Sequence, residues 1–334
     1  MPVEIIAEIA QGFEGCPEQA RLLMKAAAAA GADAAKYQLV YADELATPDY
    51  KYYELFRSLE MTDEVWLGLA TYAAKLSIKL HVDIFGTRSL QVAEQIGVAA
   101  VKLHGTDIAN IGLLTEVANS SLQKVMLGAG GGYSSELQQA IEILSAKEIV
   151  ILLGFQGYPT PNETNQIDRI RLLIERLGHT HPNVTIGFAD HAPPESPLRY
   201  ALAAVAVGAG AKVLEKHLTL GQVMKLEDHE SALNPDEFTE FTQIIRSCTQ
   251  ALGVAGNVED FGMSDAEQAY RKMIRRHVVA SRDIENNSRI TPADLVLKRT
   301  SSTHAITDLA SVYQKNTLRD LRANTPISPA DISE

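Results

Sequence analysis

The sequence predicts a parallel α/β barrel of eight strand–helix units, a (β/α)8 TIM barrel, followed by a small β-rich domain. Three observations carry that expectation. Eight short apolar runs alternate with amphipathic or alanine-rich segments, and strict alternation of strand and helix means a parallel sheet. Nearly every apolar run ends in polar or charged residues, as it must if the strand ends form one active face. After about Gly253 the rhythm stops and the composition changes.

The strands are expected at 3–10, 34–40, 79–85, 99–103, 124–127, 149–153, 184–189 and 212–218. The helices are expected at 18–30, 63–76, 88–96, 111–118, 136–144, 165–177, 196–207 and 235–252. The segment 196–207 starts at Ser196-Pro197 and stops at Gly208, and the last helix has Asn234 as N-cap with Pro235 at its first position. The strand ends present Glu8, Lys36 with Gln38, Asp83, Lys102 with His104, Gln156, Asp190 with His191, and Glu215 with His217. The fifth strand ends in a glycine run, Gly128-Ala129-Gly130-Gly131-Gly132. An open doubly wound sheet is the competing architecture, but it would gather its ligand groups at one switch point. The domains are drawn at 1–255 for the barrel, 256–272 for a polar linker and 273–334 for the tail. The tail offers few core residues, so it is expected to be stabilised by docking on something larger. No sequence repeat is expected beyond the strand–helix rhythm.

A net charge of −12 argues against nucleic acid and anionic membrane as partners. It leaves room for an anionic small molecule in a local basic pocket. Cys16 and Cys248 are the only cysteines, which excludes a disulfide framework and a cysteine zinc site. The N-terminus meets Glu4 at once and lacks a signal-peptide core, and the apolar stretch 200–211 is too short to span a bilayer. The expectation is a cytoplasmic protein.

Two histidines on adjacent strand ends, His191 and His217, would lie close enough to share one divalent metal ion. Lys36 and Lys102 fit either ligand binding or ion pairing inside the barrel. The glycine run fits either a tight turn or a backbone nest for an anion. Its spacing is neither a Walker nor a Rossmann signature.

Several motifs in order resemble the sialic acid synthase family, whose members condense phosphoenolpyruvate with a hexosamine. Ala7-Glu8-Ile9 is similar to that family's first strand, Gly31-Ala32-Asp33-Ala34-Ala35-Lys36-Tyr37-Gln38 to its second, and Val101-Lys102 to its fourth. Tyr158-Pro159-Thr160-Pro161, Asp190-His191, Glu215-Lys216-His217 and Asp228-His229 resemble further motifs, and the tail with Lys298-Arg299 resembles an antifreeze-like (SAF-type) domain. The resemblance implies that His191 and His217 hold a divalent metal, manganese before magnesium or zinc, which polarises the aldehyde of an open-chain sugar. It implies that Glu8 positions water or moves a proton, and that Lys36, Gln38, Tyr158 and Asp228 contact the sugar or the enol partner. It gives Lys102 the phosphate and carboxylate of phosphoenolpyruvate. It gives Arg299 a role across a domain-swapped homodimer, reaching the sugar site of the other subunit. His104, Asp107, Gln156 and Asp190 complete the expected substrate contacts, with Asp83.

The departures lie together. Where the family carries small hydroxyl and amide side chains for the phosphate, this chain has Asp83, Gly105, Gly128, Gln156 and Ala189, and Gly12-Phe13-Glu14-Gly15 replaces the motif after the first strand. A carboxylate aimed at a phosphate in a low-dielectric site is repulsive. Three function classes follow: a metal-dependent synthase joining a three-carbon enol phosphate to an amino sugar, a diverged aldolase, lyase or epimerase that does not use phosphoenolpyruvate, and a non-catalytic sugar-binding protein. The intact Glu8, Lys36, Lys102, His191 and His217 speak against the third.

Overall fold

The computed structural model describes residues 3–154, 157, 159–253, 259 and 261–333. The chain divides into two units after Gly253. In the first, β1 (Glu4–Ala10) leads into α1 (Pro17–Ala29), and β2 (Ala34–Gln38) into α2 (Ala42–Leu45), α3 (Tyr53–Leu59) and α4 (Asp63–Leu76). β3 (Lys79–Ile84) precedes α5 (Thr87–Ile96), β4 (Ala100–Leu103) precedes α6 (Ile111–Asn119), and β5 (Lys124–Gly128) precedes α7 (Ser134–Ile143). β6 (Glu148–Leu153) is followed by α8 (Arg169–Leu177), β7 (Val184–Asp190) by α9 (Ala201–Gly208), and β8 (Val213–Leu218) by the short β9 (Ala232–Leu233) and α10 (Pro235–Leu252).

Each of the first eight strands runs parallel to the next, and β1 pairs with β8 from Glu4 opposite Val213 to Glu8 opposite His217. The sheet is therefore a closed eight-stranded barrel, with β9 added beside the end of β8. Among the described residues no helix is long and apolar enough to cross a membrane.

Two helices start later than the apolar spacing suggests. Gln166 takes φ 50° and Asn165 donates its side-chain amide to the carbonyls of Pro161 and Asn162, so α8 begins only at Arg169. Ser196 closes a turn, accepting from Leu198 N through its hydroxyl (3.1 Å) and from Arg199 N through its carbonyl (3.1 Å), so α9 begins at Ala201. The side chain of Asn234 accepts from Gln222 N, and Glu237 reaches back to Asn234 N to hold the start of α10. Helices α2 and α3 were not expected; both are short, and α3 carries Tyr53 and Phe56.

Side chains alternate across each strand. The outward set, including Ile5, Tyr37, Val82, Val101, Leu127, Ile151, Phe188 and Leu214, forms the main core under the helices. The inward set forms layers. Ile6, Ala34, Ala100, Met126, Val150, Leu152 and Val213 make a dry middle layer. Below it, at the N-terminal end, Glu4 pairs with Lys124 and with Lys79 (3.0 Å), next to the buried His81. Above it lie the charged residues at the strand ends.

The second unit contains α11 (Asp265–Ile274), capped by Ser264, whose hydroxyl accepts from Glu267 N. The expected linker is thus partly helical. Beyond it, β10 (His277–Ala280) and β11 (Leu295–Lys298) form an antiparallel pair. The unit has a core of its own: Val278, Ala280, Ile284, Ile290, Val312, Leu321, Ile327 and Ile332. It also holds a repeat that the sequence reading missed. Arg282-Asp283-Ile284 and Ile290-Thr291-Pro292-Ala293-Asp294 recur as Arg319-Asp320-Leu321 and Ile327-Ser328-Pro329-Ala330-Asp331. The halves are joined reciprocally: Asp320 accepts from Asn286 N (2.7 Å) and Asp283 from Ala323 N (2.6 Å). In each half an arginine donates to the aspartate of the Pro-Ala-Asp turn.

Candidate active site

The upper layer of the barrel is a cluster of five charged side chains. The register between β1 and β2 slips after Glu8, where Ala10 takes φ 49°, and such a bulge re-aims the neighbouring side chain. Glu8 Oε1 accepts from Ala10 N (2.8 Å), and Oε2 lies against Lys36 Nζ. Lys36 Nζ also donates to Asp83 Oδ1 (2.6 Å) and stands 3.5 Å from Glu215 Oε2. Lys102 Nζ donates to Glu215 Oε1 (2.7 Å) and stands 3.7 Å from Asp83 Oδ2. Lys102 is the most exposed of the five, at 5%.

Removing an ion from water costs several kcal/mol even after the protein relaxes, so a buried ion cluster is weak as a stability device. A cluster of this kind at the C-terminal face of a barrel points to function. Burial raises the Glu8 carboxyl to about 8: the pull of Lys36 opposes this, and Glu215 and Asp83 reinforce it. Burial acts the same way on Glu215, but Lys102 and Lys36 outweigh it and hold that carboxyl well below its ordinary value. Burial would lower Lys36, yet Asp83, Glu215 and Glu8 keep it raised and charged.

His191 follows β7 and His217 lies within β8, their ring centroids 5.3 Å apart. Burial pushes the His191 imidazole down to about 4, and burial with the neighbouring His191 pushes His217 well below its ordinary value. Both rings are therefore neutral, the form that ligates metal. The backbone carbonyl of His191 is clamped by Thr160 N (3.1 Å) and Ser231 Oγ (2.9 Å). Among the described residues no group of three His, Cys, Asp or Glu side chains is arranged to enclose a metal ion. The pair fits as two ligands of an open site whose other positions fall to water or substrate.

A cavity of about 550 Å³ opens at the strand ends, lined by Gln11, Gln38, His104, Asp107 and Asp228 among others. Gln11 donates to Gln38 (2.7 Å). His104 Nδ1 lies 3.2 Å from Thr106 Oγ1, which donates to Asp107. Asp228 sits in the left-handed region at φ 63°. Burial, aided by Glu227 and Glu230, raises its carboxyl to about 6.

The fold thus gathers Glu8, Lys36, Asp83 and Lys102 in one cluster, and Gln38, His104, Asp107 and Asp228 in one cavity. Asp190 is turned away. Strand alternation sends it to the face opposite His191, where it accepts from Lys216 (3.2 Å) and Ala192 N (2.8 Å). Its place is in the barrel wall. Arg299 is exposed on the second unit, just after β11. Gln156 and Tyr158 lie outside the described residues. Glu215 was not singled out as a site residue, although its spacing two before His217 already put both on one face. The cavity wall from α2, α3 and the segment between them, with Glu44, Tyr50 and Phe56, was missed because short helices leave little periodic signal.

The chain matches the NeuB family over residues 23–257 and the SAF domain over residues 275–333. It is 32% identical over 266 residues to the spore coat polysaccharide biosynthesis protein SpsE of Bacillus subtilis, covering 75% of this chain and 69% of that one. It is 26% identical to the N,N'-diacetyllegionaminic acid synthase of Legionella pneumophila, covering 97% and 92%. Among solved structures, the N-acetylneuraminic acid synthetase of Leptospira borgpetersenii superposes with a TM-score of 0.73 at 26% identity, covering 82% of this chain and 93% of that one. A parallel barrel with this cluster at its mouth and a β-rich tail matched as a SAF domain belongs to the NeuB family.

Proposed function

We propose that the barrel mouth forms a carbon–carbon bond at the carbonyl carbon of an open-chain amino sugar, giving a nonulosonic-type sugar acid. The observation that carries this is the convergence of Glu8, Lys36, Lys102, His191 and His217 on one face of a barrel whose relatives include a legionaminic acid synthase. His191 and His217 would hold a divalent metal, manganese before magnesium or zinc; when bound it supplies Lewis-acid polarisation of a carbonyl oxygen. Gln38, His104, Asp107 and Asp228 offer hydrogen-bonding groups for sugar hydroxyls. Glu8, whose carboxyl burial pushes up, would hold or move a proton as negative charge develops on the sugar oxygen. Arg299 is assigned to the sugar site of a second subunit in a domain-swapped homodimer, and light scattering should return a dimer at micromolar concentration.

The ion pair of Asp83 with Lys36 favours a second reading, an aldolase or lyase that does not use phosphoenolpyruvate. Both are tested by following consumption of N-acetylated amino sugars by NMR, with each three-carbon partner and without one. Consumption should need added manganese and vanish under chelation. Full turnover under chelation, or borohydride trapping of substrate on Lys36 or Lys102, would point to Schiff-base chemistry instead.

A further inference from the structure

Of the described strand lysines, Lys36 and Lys102 are the two in the upper layer, and three carboxylates face them. Two ammonium groups thus face three carboxyl groups, so the lysines carry no excess of positive charge for an incoming anion. Two carboxylates bridge the lysines: Glu215, 2.7 Å from Lys102 Nζ and 3.5 Å from Lys36 Nζ, and Asp83, with Oδ1 2.6 Å from Lys36 Nζ and Oδ2 3.7 Å from Lys102 Nζ. An anionic ligand spanning the two lysines would take that position. Neighbouring N–H donors are also engaged. Glu44 accepts from Arg88 N (2.5 Å) and Ser89 N (3.1 Å) at the start of α5, and Ala129 N, in the glycine run, donates to Leu152 O (2.9 Å). Gly128 packs so close to the next loop that a Cβ there would lie 2.9 Å from Gly105 N. A hydroxyl-bearing side chain does not fit at 128 unless the backbone shifts.

We propose that Asp83 is a specificity-determining residue, a built-in counterion in the anion position between Lys36 and Lys102, so that the site takes a phosphate-free partner and rejects phosphate monoesters and enol phosphates. The place of this selectivity in catalysis rests on the function proposed above; the binding itself does not. A phosphate group would either displace Asp83 from Lys36 or add negative charge to a buried cluster in which carboxyls already outnumber lysines, and both are unfavourable.

The test is calorimetry with phosphoenolpyruvate and with inorganic phosphate, in EDTA so that no bound cation contributes, on the full chain and on Asp83→Asn and Asp83→Ser. The native protein should show no binding at millimolar ligand. The variants should gain at least ~10-fold in affinity, a gain that shrinks as salt rises. Low-micromolar binding of phosphoenolpyruvate to the native protein would overturn the proposal, as would folded variants with no gain. If circular dichroism shows that one variant does not fold, the other variant and the native titration decide. Turnover of sugar with phosphoenolpyruvate would defeat this inference and keep the proposed function. Refusal of phosphate with no sugar consumption would do the reverse.

Discussion

The two ends of the barrel interior carry similar charges under different conditions. At the N-terminal end Glu4 meets Lys124 and Lys79, and Lys79 is 56% exposed on its side chain. Water reaches Lys79, so its pair with Glu4 contributes little. At the C-terminal end Glu8, Lys36, Asp83, Lys102 and Glu215 are buried together above a dry layer of Ile6, Val150 and Val213. The same residue types shift in opposite directions, because full burial above outweighs the neighbouring lysines at Glu8, while below the neighbouring cations outweigh partial burial at Glu4. Glu4 is accordingly lowered to about 2, since Lys124, His81 and Lys79 overcome its partial burial, while Glu8 is raised to about 8.

Breaking the upper cluster should have the largest effect. Lys36→Met leaves Asp83 and Glu8 without their nearest cation. It should abolish activity and cost about 3–5 kcal/mol in urea unfolding, the range for a buried pair losing one partner. His191→Ala should remove metal binding and activity, read by metal titration, while the far-ultraviolet circular dichroism stays native. A variant that kept manganese affinity would take the histidines out of the site.

The upper cluster should also show itself in pH. Glu8 is raised, so between the ordinary carboxylate range and about 8 the folded chain keeps a proton that the unfolded chain has released. Stability should fall as pH rises through that window. Glu8→Gln should flatten this slope in denaturation midpoints measured at pH 5.5 and 8. Glu4 has the opposite sign: its contribution is present above the ordinary range and is lost as pH falls toward 2. The smallest effect belongs to the lower end. Lys79→Ala should cost no more than about 1 kcal/mol and leave turnover unchanged. A large loss of turnover would erase the contrast between the two ends.

The barrel was legible because apolar runs and amphipathic segments alternate with few exceptions, and the polar strand ends named most of the site. Ion pairing of Lys36 and Lys102 inside the barrel was one of two expectations, but their partners were not legible. Asp83 was expected to repel a ligand. Its neutralisation by Lys36 depends on the β2–β3 register, Lys36 opposite His81 and Gln38 opposite Asp83, which no local pattern encodes. Asp190 was misplaced although alternation from His191 already sent it to the other face. The repeat in the second unit escaped notice because its halves share turn chemistry, Pro-Ala-Asp and positive-φ Asn287 and Asn324, while most other positions differ.

The central claim is that the buried upper cluster performs carbon–carbon chemistry on a sugar carbonyl. Mass spectrometry of a reaction holding N-acetylated amino sugar, manganese and either pyruvate or phosphoenolpyruvate tests it most directly. A sugar-acid product with the summed mass of sugar and pyruvate should form with the native protein and be absent with Lys36→Met. A product seen only with phosphoenolpyruvate would keep the chemistry and remove the selectivity assigned to Asp83. No new carbon–carbon product with any amino sugar and either partner would contradict the claim.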